Sequence, residues 1–324
     1  MKVSPASVSI DLDNLWSYLK TQGVDGWQSY PSYLSLVTPR ILARLEACGI
    51  KATFFIVGRD ASRPENAGAL RSIADAGHEV ANHSFDHDVA LPQFTRHELH
   101  RDFSRSEEAI QEATGQIPFG FRGPGFCTSP LMKEVLYHRG YRYDASLLPT
   151  FLGPVARAYF YLFSNLSSEE KKKRSTLYGS LTNGFAPLRP HALEGDFMEV
   201  PVTTMPLTRL PVHLSYLLFL AQRSEALARI YWQTAITLCR ATGTAPSLLL
   251  HPTDFLDAGD VPAMDFFPAM QMPAARKMEL VEFTLRSLTR YWPTGTLAAH
   301  AAAHVPTIPA LQPAYAPLSG VLVR

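Results

Sequence analysis

Hydrophobic and polar positions along this chain repeat one phrase. A short β-prone apolar run gives way to a polar loop, then to an amphipathic helix closed by glycine, then to the next run. Residues 8–10 are the first run, ending in Asp11-Leu12-Asp13-Asn14. The aromatic-rich stretch that follows (Trp16, Tyr18, Trp27, Tyr30, Tyr33) reads as a long loop. Thr38 and Pro39 predict the N-cap and first residue of a helix with the stripe Ile41, Leu42, Leu45 and Cys48, and Gly49 is its left-handed stop. Residues 51–57 form a buried-strand pattern. A helix from about residue 64 to Gly77 leads to a strand at 78–81. The capping-box pair Thr95 and Glu98 opens a helix through Ile110, followed by Gly115 and a strand at 119–121. Ser129-Pro130 opens another helix, Gly140 stops it, and residues 141–143 are a strand again. Strands alternating with helices imply an α/β fold with parallel pairing and right-handed crossovers. This many units favours a barrel or a barrel-like sheet over an open one.

Residues 147–196 break the rhythm and read as an insertion without a clear strand. The pattern then resumes with a strand at 197–201, a mostly apolar helical region at 212–242, a buried strand at 247–250 and a helix at 276–289. The expected organisation is one barrel domain over 1–298, with the insertion inside it, and a proline-rich C-terminal tail over 299–324.

Composition narrows the class. A hydrophobic fraction of 46% in 324 residues supports a large buried core. A net charge of +1, from 30 basic and 29 acidic residues, argues against a nucleic-acid partner, which needs a concentrated basic face. Cys48, Cys127 and Cys239 form neither a metal nor a disulfide spacing and suggest a reducing compartment. The start of the chain shows no apolar leader and no run spans a membrane, so the expectation is a cytoplasmic protein.

Candidate chemistry follows the strands. Asp11 and Asp13 come after the first, His83 and His87 after the third, Arg122 after the fourth, Asp144 after the fifth and His251 after the strand at 247–250. In a parallel barrel these positions share one mouth, at the carboxyl ends of the strands. Taken singly, each has a plain structural reading. The aspartates could cap loops, Arg122-Gly123-Pro124 could be a salt-bridged turn, and His251 could be a core histidine. His83 and His87, four apart, could share a metal, but the spacing alone is weak. His300 and His304 repeat it in an alanine-rich stretch without a nearby carboxylate and are read as non-functional. His78, His97, His100, His138, His191 and His213 have no evident partners and are assigned structural or exposed positions.

The ordered set Asp11-Leu12-Asp13, His83-Ser84-Phe85-Asp86-His87, Arg122-Gly123-Pro124, Asp144-Ala145-Ser146 and Leu248-Leu249-Leu250-His251 resembles the motif series of the polysaccharide deacetylase (NodB-homology, carbohydrate esterase family 4) superfamily. The resemblance covers about residues 6 to 255. It implies a distorted (β/α)7/8 barrel of the NodB-like kind and metal-dependent hydrolysis of an N-acyl group, acetyl or formyl, from an amino sugar. Asp13, His83 and His87 would hold one divalent metal, zinc by default, with cobalt, manganese, nickel or iron able to use the same ligands. Asp11 would be the general base, paired to Arg122. His251 would protonate the leaving amine, with Asp144 hydrogen-bonded to its imidazole. A backbone N–H near Gly125 would assist at the oxyanion, and Phe126 would line the substrate site. Two departures stand out: Leu12 separates the aspartates, and Gly125 replaces the usual aromatic residue, with Phe126 one place later.

The expected substrate is an N-acylated sugar, as an intracellular polysaccharide or glycolipid precursor. Other readings are an allantoinase-like hydrolase of a small amide and a non-catalytic carbohydrate-binding relative. The apolar stretch 205–220, the aromatic run 159–163 and the basic run 171–174 raise a further expectation of peripheral contact with an anionic membrane at its inner face. Burial as a barrel-covering helix is the simpler reading of the apolar stretch.

Overall fold

The computed structural model describes residues 4–305. Its centre is a curled sheet of β1 (Ala6–Asp11), β2 (Thr53–Ile56), β3 (Glu79–Asn82), β4 (Gly120–Phe121), β5 (Tyr143–Asp144), β6 (His191–Glu194), β7 (Phe197–Glu199), β8 (Ser247–Leu250) and β9 (Thr294–Gly295). The order along the sheet is β6-β7-β5-β4-β3-β2-β1-β8, with β9 also paired to β1. All pairings are parallel except β6 with β7. The two ends of the curl are tied at Thr203, whose N–H and hydroxyl both donate to the Ser247 carbonyl at 3.1 and 2.9 Å. The α/β barrel-like class expected from the sequence is what the chain forms, as a half-barrel.

Strand parity decides which side chains meet inside the curl, because alternate residues face opposite sides. Val8 and Ile10 point outward into the main core beneath the helices, whereas Ser9 and Asp11 face the bore. The partner of Asp11 in β2 is Phe55, which packs in the bore with Ala81, Tyr143, Ala145 and Met198. At the bottom, buried Glu79 accepts from the Thr53 hydroxyl at 2.5 Å and the Tyr143 hydroxyl at 2.9 Å. Burial raises the Glu79 carboxyl above its ordinary value.

Four local expectations are corrected. The aromatic stretch after β1 contains a helix, Leu15–Gln22, capped by the Asn14 carboxamide and stopped by Gly23 at φ 76°. The next helix begins at Leu34 rather than Pro39 and runs Leu34–Ala47 with Pro39 inside it. Interior proline costs about 3 kcal/mol, but the stripe Leu34, Val37, Ile41 and Leu45 is wholly buried and offsets it. The 147–196 segment does contain a strand. β6 alternates half-buried and exposed residues at the sheet edge and turns back through Gly195 at φ 53°. The 212–242 region is two helices, Leu214–Ala221 and Glu225–Thr242, the second capped by the Ser224 hydroxyl.

The boundary expected at 298/299 falls inside a helix, Leu297–Ala302, whose His300 and Ala301 are buried. Most of the expected tail lies outside the described residues. The His300 ring meets the Ser7 hydroxyl at 2.9 Å at the bottom of the barrel, far from the strand ends that carry Asp11 and Asp13. Burial lowers its imidazole to about 3, as befits a neutral structural histidine.

Candidate active site

Asp13, His83 and His87 converge at the mouth of the bore: one potential ligand atom from each lies within 4.8 Å of the others, and all three residues are buried. The Asp13 Oδ1 is 3.0 Å from His87 Nε2 and 3.5 Å from His83 Nε2. His83 follows β3 directly, and its Nδ1–H donates to the Arg122 carbonyl at 2.6 Å, which leaves Nε2 as the free lone pair. To bring His87 back to the same point, the loop places Ser84 and His87 at φ 63° and 49°. Left-handed conformations at non-glycine residues cost energy and concentrate at functional sites. The loop is held by Gly58 and Arg59, whose N–H groups donate to the Ser84 and Phe85 carbonyls, and by Asp102, which accepts from the Phe85 N–H.

These donors fit a divalent cation. Two imidazole nitrogens and one carboxylate oxygen form a set that leaves positions open for water and substrate. Asp13 Oδ1 and His87 Nδ1 are buried with no hydrogen-bond partner among the described residues. Burial works against the Asp13 charge, yet the facing His87 and His83 rings hold its carboxyl well below the ordinary range. Burial likewise works against a charged His83, but Asp11 and Asp13 leave its imidazole raised. The raised His83 imidazole reports the negative charge of Asp11 and Asp13, which a cation would satisfy.

Asp11 stands beside this centre, not in it. Its Oδ1 accepts from Arg122 Nη1 at 2.6 Å, while its Oδ2 is 4.0 Å from both His83 Nε2 and His251 Nε2. Arg122 is wholly buried. Its Nη1 also reaches the Ser9 hydroxyl at 2.9 Å, its Nε donates to the Ala145 carbonyl at 2.9 Å, and its guanidinium lies 4.2 Å from the centre of the Phe55 ring. Three contacts thus fix the arginine that fixes Asp11, as the sequence expected of the pair.

Asp144 does not hold His251. In the sheet it pairs with Phe121 and Glu199, and Phe121 packs outward against Phe103, Leu99 and Leu136. The same parity turns the Asp144 carboxylate to the outside of the barrel. There it accepts from the Ser146 hydroxyl at 2.5 Å and lies 3.8 Å from Lys133, which also binds Glu199 at 2.7 Å. Burial, partly offset by Lys133, raises the Asp144 carboxyl; burial and the neighbouring Asp144 bring Glu199 up to about 8. Asp144 acts at one remove, because Ser146 accepts from the Gly123 N–H at 2.8 Å and so anchors the turn after Arg122. Gly123 admits no side chain, since a Cβ there would collide with the Cys127 carbonyl.

The orienting groups of His251 are Ser215 and Asp254. His251 Nδ1–H donates to the Ser215 hydroxyl at 3.1 Å, Ser215 donates to Asp254 Oδ1 at 2.8 Å, and Asp254 Oδ2 accepts from the His251 N–H at 2.8 Å. This relay leaves Nε2 facing Asp11. Asp254 sits three residues after His251, a signal the sequence carried in His251-Pro252-Thr253-Asp254. Ser215 lies 36 residues earlier and had no such signal. His213, first assigned a structural role, caps the Leu214–Ala221 helix and also lies against His251 at 6.4 Å between ring centres. Ser215→Ala removes both hydrogen bonds of the relay; the one that orients the His251 ring is worth about 1 kcal/mol, so kcat is expected to fall about fivefold at constant KM, with Ser215→Thr restoring it. Unchanged kcat in Ser215→Ala would remove the relay from the mechanism.

Gly125 has φ 58°, and a Cβ there would strike Leu177 of the inserted segment. Its carbonyl accepts from the Tyr178 N–H at 2.9 Å, so the insertion forms a wall beside the mouth. Phe126 packs with Leu148, Val202 and Leu249. Leu249 precedes His251 by two residues on the bore side of β8, which brings Phe126 to the same rim.

Residues 25–143 match the polysaccharide deacetylase family. A peptidoglycan-N-acetylglucosamine deacetylase (PgdA) of Listeria monocytogenes is 34% identical over 90 residues, 28% of this chain and 19% of that protein. A Helicobacter pylori peptidoglycan deacetylase is 31% identical over 110 residues, 34% of this chain and 36% of its own. The matched region therefore spans about a fifth to a third of these relatives' length. A Mycobacterium smegmatis structure whose name assigns it to the polysaccharide deacetylases aligns over 93% of this chain and 91% of its own, with a TM-score of 0.58 and 19% identity. That likeness concerns the fold.

Proposed function

We propose, from the premise that this chain carries a polysaccharide deacetylase domain of the NodB-homology (CE4) superfamily, that it is a metal-dependent hydrolase of N-acylated amino sugars. The observation that carries the reading is the place of Asp11: one oxygen locked by Arg122, the other 4.0 Å from His83 on one side and from His251 on the other. A base between a ligand cluster and a second imidazole is the arrangement amide hydrolysis needs.

Asp13, His83 and His87 would hold the ion, and zinc is the first choice for this ligand set. Once bound, the ion would supply Lewis-acid polarisation of the acyl carbonyl and acidify a water. Asp11 Oδ2 would be the base that accepts the proton of the attacking water. Arg122 keeps Asp11 aimed, since its guanidinium holds the other oxygen. His251 Nε2 gives its proton to the sugar nitrogen as the carbon–nitrogen bond breaks, releasing a carboxylic acid, which keeps the water's second hydrogen and ionises in solvent, and a free amine. Ser215 and Asp254 hold the imidazole to that task. The backbone around Gly125 is the candidate second support for the oxyanion.

The proposed substrate is an intracellular amino-sugar precursor, including one carried on a lipid. The three cysteines support a reducing location, since Cys48, Cys127 and Cys239 are all free thiols. A screen of nucleotide-linked and polyprenyl-linked N-acyl sugars, with amine release and metal content read on one preparation, tests the proposal. Metal-dependent amine release from an N-acyl sugar is expected. Turnover confined to small cyclic amides, or none on any acyl sugar by metal-loaded protein, would overturn it.

A further inference from the structure

We propose that the inserted wall of the mouth, residues 151–185 with Leu207 beside it, docks on an anionic membrane surface, which gives the site access to substrates held there; the access rests on the N-deacylase reading above. The helix Gly153–Phe163 buries Phe160 in a small core with Val89, Leu166 and Leu177. Its other face is Val155, Tyr159, Leu162 and Phe163, spaced as one helical stripe and open to solvent, Leu162 at 78% and Phe163 at 69%. Phe185, 77% exposed, makes an edge contact with Phe151, two residues before that helix, at 5.0 Å between ring centres. Leu207, 80% exposed, adjoins it because Arg209 donates to the Ala186 carbonyl at 2.8 Å. Scattered exposed apolar residues are ordinary on a protein surface, but a continuous stripe signals contact with something.

Charge selects the partner. Residues 153–189 carry six basic and two acidic side chains, against 30 and 29 in the whole chain. Lys172 and Lys173 are exposed on the short helix Ser168–Lys173, which is pinned to the apolar helix by the Tyr161 hydroxyl donating to the Lys171 and Arg174 carbonyls, each at 2.8 Å. An apolar stripe flanked by lysines is the composition that inserts shallowly among anionic headgroups. No helix among the described residues is long and apolar enough to cross a membrane, so contact of this kind is superficial. The segment that carries the face also borders the site, because its Leu177 and Tyr178 pack on Gly125. Apart from Leu207, the stretch 205–220 contributes little. Its Met205, Val212, Leu214, Leu217 and Leu218 are buried, as barrel-covering helix requires.

Flotation of the full chain with vesicles of phosphatidylcholine, with and without phosphatidylglycerol, tests the surface independently of catalysis. Binding is expected only to the anionic vesicles. The double variant Leu162→Glu/Phe163→Glu and the triple variant Lys171→Gln/Lys172→Gln/Lys173→Gln should each weaken it about tenfold or more, with amine release from a soluble N-acyl sugar unchanged. Absence of flotation, or flotation indifferent to both variants, overturns the proposal. So does a wild-type dimer in solution that the Leu162→Glu/Phe163→Glu variant dissolves, which would assign the face to a second copy of the chain. Flotation without turnover on any acyl sugar would instead count against the deacylase reading alone.

Discussion

Asp13→Ala is expected to purify without bound metal and to lose activity on the order of a thousandfold or more. Asp13 supplies the only carboxylate oxygen in the cluster, between His87 at 3.0 Å and His83 at 3.5 Å. Two imidazoles alone do not retain a catalytic ion. The variant should still fold, because the structural bond at this position belongs to the main chain: the Tyr33 hydroxyl donates to the Asp13 carbonyl at 2.5 Å. Metal analysis, amine release and a melting curve on one sample check the three statements together. Stoichiometric metal with wild-type turnover would remove Asp13 from the ligand set.

Asp11→Asn should behave differently. The ligand cluster stays intact, so metal remains, while kcat falls by about a hundredfold to ten-thousandfold, the range a positioned general base contributes. A second consequence follows from burial. Arg122 is wholly enclosed, and its charge-bearing partner is Asp11; the Ser9 hydroxyl and Ala145 carbonyl that remain are neutral. An uncompensated buried charge costs up to about 3–5 kcal/mol, so among metal-free proteins the melting temperature should drop in this variant and not in Asp13→Ala. Full activity in Asp11→Asn would show the base to be another group.

The sequence made the site legible where local pattern and strand ends coincide. Asp11, Asp13, His83, Arg122 and His251 sit at or just beyond the carboxyl ends of parallel strands, and the alternation of apolar runs with glycine-stopped helices was enough to place them at one mouth. The same pattern separated His83 and His87 from His300 and His304, which share a spacing but occupy opposite ends of the barrel. What local pattern does not encode is the side of a two-residue strand. β5 is only Tyr143–Asp144, and a shift of one position decides between bore and outside. Its parity is set by pairing to Phe121 and Glu199, contacts 23 and 55 residues away along the chain, so the Asp144–His251 bond expected from the motif order does not form. Ser215 escaped for a related reason, since its role exists only where the Leu214–Ala221 helix crosses the end of β8. The helix start at Leu34 was hidden by Pro39, where burial of one apolar stripe outweighs a local rule.

The central claim is that an ion held by Asp13, His83 and His87 and a proton taken by Asp11 together cleave an N-acyl amide. Amine release from an N-acyl amino sugar, followed through chelation and stepwise return of zinc to the wild-type protein, tests it most directly. The account predicts that turnover vanishes on chelation and returns in proportion to zinc up to one equivalent per chain. Undiminished amine release from the fully chelated protein would contradict it.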